Sequence, residues 1–112
     1  MRAMNNKTKA LRYLGGISGQ GVVTQNGKTV AEANFDIDGY FRAAVGVTGC
    51  GEIQAPAEVL KGLFGRTDLQ LLTDRGFVLD LTFSDSTLAP AADVAHVDVT
   101  GQLPTSLADW RH

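Results

Sequence analysis

The chain has 112 residues, 44% of them hydrophobic and 20% charged, which is the size and composition of one globular domain rather than of a disordered chain. One cysteine excludes an internal disulfide and a metal site built from cysteines alone. The N-terminal residues lack the apolar core of a signal peptide, and no apolar run has the length of a membrane-spanning helix. We therefore expect a cytoplasmic protein that does not associate with membranes.

The charges are distributed unevenly, although the net charge is only -2. Five basic residues precede the first acid, and they are Arg2, Lys7, Lys9, Arg12 and Lys28. We interpret residues 1–8 as a flexible basic tail and residues 9–112 as a single β-barrel-like domain. Five scattered charges are too sparse for a nucleic-acid surface, so no nucleic-acid partner is expected.

A first strand is predicted to begin near Ala10, and it runs into a glycine-rich stretch, Gly15, Gly16, Gly19 and Gly21. A dinucleotide-binding loop needs a helix after its glycines, whereas Val22 and Val23 continue a strand pattern. The Lys-Ser/Thr ending of a nucleotide P-loop is also absent from the sequence. We interpret these glycines as bends or bulges that let a sheet curl.

The Asn26-Gly27 pair predicts a tight hairpin turn. Pairing Gln25 with Lys28 across this turn sets Val22 opposite Ala31 and Val23 opposite Val30. In the outgoing strand the inward face is predicted to hold Ala31, Ala33, Phe35 and Ile37, and the outward face Glu32, Asn34, Asp36 and Asp38. We expect the basic tail to be attracted to that outward acidic face, within one chain or between subunits.

Residues 43–54 alternate as a third strand, with Val45, Val47 and Ile53 sharing a face with two glycines. A short helix is predicted near residues 56–64, because Pro56 suits a first turn and Gly65 suits an end. Its apolar stripe consists of Val59, Leu60, Leu63 and Phe64.

Residues 69–83 predict a second hairpin with a three-residue loop, in which Gly76 takes the left-handed conformation. Pairing Thr73 with Phe77 places leucines opposite leucines, at 71 and 79 and at 69 and 81. Residues 84–92 predict a loop, and residues 93–101 a last strand with Ala95, Val97 and Val99 inward. Trp110 is predicted to cover one end of the barrel.

Together these elements predict an all-β, mainly antiparallel fold, a small six- or seven-stranded barrel or curled sheet with one short helix. The strand count resembles that of small bacterial six-stranded barrels, including some that bind cyclic dinucleotides. The Arg-x-x-x-Arg and Asp/Asn-x-Ser-x-x-Gly motifs of those binders are absent from this sequence. The resemblance therefore concerns architecture, which does not by itself imply function.

Three classes of function follow from the candidate residues. A non-catalytic binding or assembly module is favoured, because no polar constellation converges in the sequence. The second class is a regulatory domain that binds a nucleotide or small metabolite, and the third is a small enzyme that uses His96 with Asp98, or Cys50. No catalytic residue, metal site or cofactor is assigned. The candidate ligand-binding residues are Gly16, Gly19, Gly21, Arg42, Cys50, His96 and Asp98.

A homodimer is also expected. The predicted registers place four aliphatic residues on outward faces of neighbouring strands, and they are Val23, Val30, Leu72 and Val78. Paired aliphatic side chains on a sheet surface begin to form a patch, and a second copy of the chain is a common cover for it.

Overall fold

The computed structural model describes residues 11–101, 103, 104 and 110. The elements are β1 (Leu11–Gln25), β2 (Lys28–Arg42), β3 (Gly46–Gln54), α1 (Ala57–Leu63), β4 (Leu69–Thr73), β5 (Val78–Phe83) and β6 (Val94–Gly101). The strands are antiparallel and form a closed barrel in the order β1-β2-β3-β6-β5-β4. The prediction of a small antiparallel barrel with one short helix is therefore confirmed.

The barrel interior is filled by the inward-facing side chains of all six strands. The alternation is clearest in β2 and β6, where buried and more exposed residues succeed one another. The largest fully buried side chains are Ile37, Ile53, Leu60, Leu69, Leu71, Leu79, Val23, Val97 and Val99. These residues belong to one cluster, so the barrel and α1 share a single hydrophobic core.

The second hairpin, β4–β5, has the predicted register. The Thr73 N–H donates to the Phe77 carbonyl over 2.9 Å, and Gly76 has a φ of 91°, which favours glycine. Leu71 lies opposite Leu79, and Leu69 lies opposite Leu81. All four leucines face the core. Side chains alternate between the two faces of a strand, so leucines two positions apart lie on the same face.

The first hairpin differs from its predicted register. Gln25 does lie opposite Lys28, but a β-bulge follows and shifts the pairing by one residue. Val23 lies opposite Ala31 rather than Val30, and Val22 lies opposite Glu32 rather than Ala31. Val23 is 0% exposed, so its predicted outward orientation is wrong. Val22 is only half-buried, and it lies opposite Leu72, which in turn lies opposite Val78.

The middle of the chain follows the prediction except at the start of the third strand, which was predicted over residues 43–54 but begins at Gly46, after a turn at 43–45. Val45 was expected to face inward, but it lies in the turn between β2 and β3 and is 68% exposed. Helix α1 buries Leu60 and Leu63 as predicted. β2 and β3 approach closely at Gly51, where a Cβ atom would overlap the backbone oxygen of Asp36.

Trp110 lies at one end of the barrel, as predicted, and is buried. Its indole Nε1–H donates to the Pro104 carbonyl over 2.9 Å, which satisfies the only polar group of the ring. The ring lies against Gly39, where there is no space for a Cβ atom. The predicted basic tail, with its attraction to the acidic face, lies outside the described residues. No helix in the described part of the chain is both long enough and apolar enough to cross a membrane.

Candidate functional site

A groove of about 490 Å³ crosses the outer face of β2, β3 and β6, near the start of β1. We call it the Cys50 groove. Its lining consists of Leu11, Tyr40, Arg42, Val45, Thr48, Gly49, Cys50, Asp98, Val99 and Thr100. Three of the seven ligand-binding residues predicted from the sequence, Arg42, Cys50 and Asp98, are therefore brought together in one place.

The strand order explains this convergence. β3 lies between β2 and β6, so that Cys50 has Asp38 opposite it on one side and Asp98 opposite it on the other. One step along the same face, Tyr40 lies opposite Thr48. Side chains that alternate along a strand point to the same face at every second residue, which aligns these rows across the sheet.

The Cys50 groove carries opposite charges at its two ends. Arg42 is the last residue of β2 and lies opposite Leu11, whereas Asp98 belongs to the row of Cys50. Asp38, in the row of Cys50 and Asp98, and Arg42 are four positions apart in β2, which corresponds to about 13 Å along the strand. The side chains of Arg42 and Asp98 make no hydrogen bond or ion pair with another described residue. Both charges are therefore available to a ligand.

Asp38, at the acidic end, is already engaged. It accepts a hydrogen bond of 3.0 Å from the hydroxyl of Tyr13, and this bond raises the pKa of that tyrosine. The rings of Tyr13 and Tyr40 lie 5.4 Å apart in a tilted arrangement. Tyr40 lines the Cys50 groove, whereas Tyr13 and Asp38 line the adjoining depression, so the aromatic pair lies at the boundary between the two. Aromatic rings beside carboxylates attract cations.

The apolar rim of the groove is unusually exposed. The described residues include six exposed large hydrophobic side chains, and two of them, Leu11 and Val45, line the groove. Tyr13 and Phe41 lie near these residues in the sequence, in β1 and at the end of β2. The other two, Val30 and Leu72, lie elsewhere on the barrel. Exposed apolar patches of this kind mark binding surfaces.

The surroundings of Cys50 disfavour the thiolate form that a nucleophilic cysteine needs. Partial burial raises the pKa of its thiol, and the negative charges of Asp38 and Asp98 raise it further. The thiol is therefore protonated at neutral pH, whereas nucleophilic cysteines need a lowered pKa. Its neighbours across the strands are carboxylates, not a cation that would stabilise a thiolate.

His96 has a different partner from the one suggested by the sequence. Its Nδ1 atom lies 3.1 Å from a carboxylate oxygen of Asp85, in the loop after β5, and both side chains are mostly exposed. His96 does not line the Cys50 groove, although it shares the outer face of β6 with Asp98. Asp85 was missed because a loop residue has no periodicity from which its position could be inferred.

The predicted glycines are not part of the groove. Gly16 lines a separate depression beside Ser18 and Arg75, and Gly19 lies next to the carboxylate of Asp74. Gly21 packs against Leu71, where a Cβ atom would be only 2.7 Å from a side-chain carbon. The positions of Gly19 and Gly21 are explained by packing between β1 and the second hairpin.

Several groove residues were not among the predicted site residues, namely Leu11, Tyr40, Val45, Thr48 and Thr100. The alternation of β2 and β3 places Tyr40 and Thr48 on the outward face, but only the strand order shows that they are neighbours of Asp98. Within the described part of the chain, no three His, Cys, Asp or Glu side chains are grouped so that they could hold a metal ion.

In comparisons with known proteins, no family model, no curated protein and no solved structure matches this chain, so the fold and the Cys50 groove are the observations from which its function is inferred.

Proposed function

We propose that this protein is a non-catalytic, cytoplasmic binding module and that the Cys50 groove is its binding site. The observation that carries this proposal is the convergence of Arg42, Cys50 and Asp98, from three strands, on a groove with an exposed apolar rim. Binding sites combine apolar lining with a few convergent polar groups in this way.

The charges of the groove indicate the chemistry of its ligand. The Asp98 carboxylate and the Tyr40 ring line the groove, and the Asp38 carboxylate lies opposite Cys50 in the adjoining depression, together with Tyr13. A positively charged amine or guanidinium group on an apolar body would match both features. Arg42 is the only basic residue in the groove lining, so the phosphates of a nucleotide would have a single cationic partner in a groove that also holds Asp98. The nucleotide-binding alternative is therefore less well supported.

The enzyme alternative is also less well supported. A thiol with a raised pKa is a weak nucleophile, and no base lies opposite Cys50 on the neighbouring strands. The histidine that could act as a base is engaged with Asp85, outside the groove.

The proposal is tested by following the backbone amide resonances during titration with benzylamine and, separately, with AMP. We expect benzylamine to shift resonances of Tyr40, Thr48 and Cys50, and AMP to leave them unchanged. Asp98→Asn should weaken amine binding by about ten- to a hundredfold, because it removes a charge-assisted hydrogen bond worth about 1.5–3 kcal/mol.

Glu32→Gln is the matched control for this titration. It removes one carboxylate from the outer face of β2 but lies outside the groove, so its amine affinity should equal that of the unmodified protein. Shifts caused by AMP alone, or an Asp98→Asn variant that binds benzylamine normally, would contradict the proposal.

A further inference from the structure

We propose that the occupant of the Cys50 groove is a second copy of this chain, in a two-fold symmetric dimer that places Arg42 of each copy beside Asp98 of the other. This inference rests on the proposed function, because it names the ligand of that same groove. It differs from the dimer expected from the sequence, which involved the aliphatic patch around Leu72.

The charge pattern of the groove is self-complementary. A two-fold axis that crosses the groove at its middle exchanges its two ends, so the basic end of one copy faces the acidic end of the other. In such an interface each contact occurs twice, and two Arg42–Asp98 pairs form together. Within one chain the two side chains make no hydrogen bond or ion pair with a described residue, which leaves both charges available for the pairing.

The middle of the groove suits the centre of such an interface. Tyr40 and Thr48 lie opposite each other between the two charged ends, and the rings of Tyr13 and Tyr40 are in contact. Tyrosine and arginine are enriched among the residues that dominate protein–protein binding energies, and they act best where surrounding contacts exclude water. Leu11 and Val45, on the exposed rim, supply apolar surface for that purpose.

The charge pattern also favours a second copy over other occupants. An anionic partner would meet the carboxylates at the acidic end, and a purely cationic partner would meet Arg42 at the basic end. A partner with both charges, spaced like those of the groove itself, satisfies both ends at once. A second copy carries this arrangement by construction.

The inference is tested by exchanging the charges of Arg42 and Asp98 and measuring the mass of each variant by light scattering and sedimentation equilibrium. The unmodified chain should have a two-chain mass at micromolar concentration. Arg42→Asp and Asp98→Arg should each weaken the dimer at least tenfold, because each places two like-charged pairs in the interface. An equimolar mixture of the two variants should dimerise again, since both pairs are then of opposite charge, and the double variant should do the same.

Lys28→Asp and Glu32→Arg are matched controls with the same charge changes outside the groove, and they should dimerise normally. The inference would be overturned if the unmodified protein had a one-chain mass at all concentrations. It would also be overturned if neither single variant weakened the dimer, or if the mixture of the two variants stayed monomeric. Loss of the dimer in Leu72→Glu together with insensitivity to the charge exchanges would assign the interface to the patch of Val22, Leu72 and Val78 instead.

The amine titration separates the two proposals. A monomer in which benzylamine still shifts the groove resonances overturns the dimer and leaves the binding module in place. A monomer that does not respond to benzylamine overturns both. A dimer with the expected charge-exchange pattern, whose dissociation benzylamine promotes, supports both.

Discussion

The inner and outer faces of β2, β3 and β6 are built from neighbouring residues of the same strands, yet the inner face is aliphatic and the outer face is polar and acidic. The inner face presents Ile37, Ile53 and Val97, which are almost completely buried. One residue further along each strand, the outer face presents Asp38, Gln54 and Asp98. The backbone is shared, so the difference lies in the side chains alone.

The composition of the inner face is explained by stability. Burying an aliphatic side chain of this size contributes about 1.5–3 kcal/mol. The outer face does not have such an explanation, because Asp36 lies directly opposite Glu52. Like charges in that position are destabilising by up to about 1 kcal/mol. A surface that costs stability is more readily explained by binding than by folding.

The largest effect is expected for a truncation on the inner face. Ile53→Ala should lower the free energy of unfolding by about 2–5 kcal/mol, because the side chain is 0% exposed and its removal leaves a cavity. Thr48→Ala, on the outer face of the same strand, should change it by less than about 0.5 kcal/mol. Urea unfolding of both variants measures the contrast, and similar losses would remove the distinction between the faces.

Two glycine-to-alanine substitutions should have opposite effects on the stability of the protein. Gly51→Ala should destabilise the barrel by about 1–3 kcal/mol, because its methyl group would meet the Asp36 backbone and force β2 and β3 apart. Gly62→Ala should stabilise by about 0.5–1 kcal/mol, since Gly62 lies within α1 with open space around it. Thermal and urea unfolding measure the stability of both variants. A Gly51→Ala variant more stable than the unmodified protein would contradict the close approach of β2 and β3 at this position.

A smaller effect is expected when the opposed acids on the outer face are separated. Asp36→Asn should raise the free energy of unfolding by about 0.2–1 kcal/mol at low salt, because it removes one of two facing charges. Glu32→Gln, opposite Val22, should have less effect. In 1 M salt the Debye length is about 3 Å, and the advantage of Asp36→Asn should disappear. If Asp36→Asn raised the free energy of unfolding equally at low and high salt, charge repulsion would not be the cause.

The smallest effect on stability concerns Cys50. Its raised pKa means that the folded protein holds the thiol proton more tightly than the unfolded chain does. Stability from this source is complete below the pKa of an ordinary thiol and is lost as pH rises through the raised pKa. The rate of reaction with a disulfide reagent, measured against pH, should have a higher midpoint in the folded protein than in denaturant.

Asp98→Asn should lower that midpoint, because it removes one of the charges that oppose the thiolate. Glu32→Gln should leave it unchanged. Burial is the larger cause of the raised pKa, so Asp98→Asn should restore the ordinary value only in part. A folded-state midpoint below that of the unfolded chain would show instead that Cys50 is activated.

Much of the fold was predictable where a turn and an alternating pattern reinforced each other. In the second hairpin, Gly76 and the leucines at 71 and 79 specify the same register. In the first hairpin, Asn26-Gly27 specifies only the pairs next to the turn, and the bulge beyond it shifts Val23 by one residue. Nothing in the residue types distinguishes a bulged Val30 from a paired one.

The site was less predictable than the fold, because it depends on contacts distant in sequence. Cys50 and Asp98 are 48 positions apart, and they become neighbours only because β6 pairs with β3. Local patterns indicate which face of a strand a residue occupies, not which strand lies beside it. Arg42, Cys50 and Asp98 could thus be selected individually, while the groove that they form could not be foreseen.

The position of Trp110 gives the protein a built-in optical probe. It is the only tryptophan of the chain, it is 3% exposed, and its ring lies against Gly39 at the end of the barrel. Its fluorescence therefore reports on a single place, and emission moves to longer wavelength when water reaches the indole. If the segment that carries Trp110 separates from the barrel before the strands unfold, the emission will change at a lower urea concentration than the β-sheet circular dichroism signal.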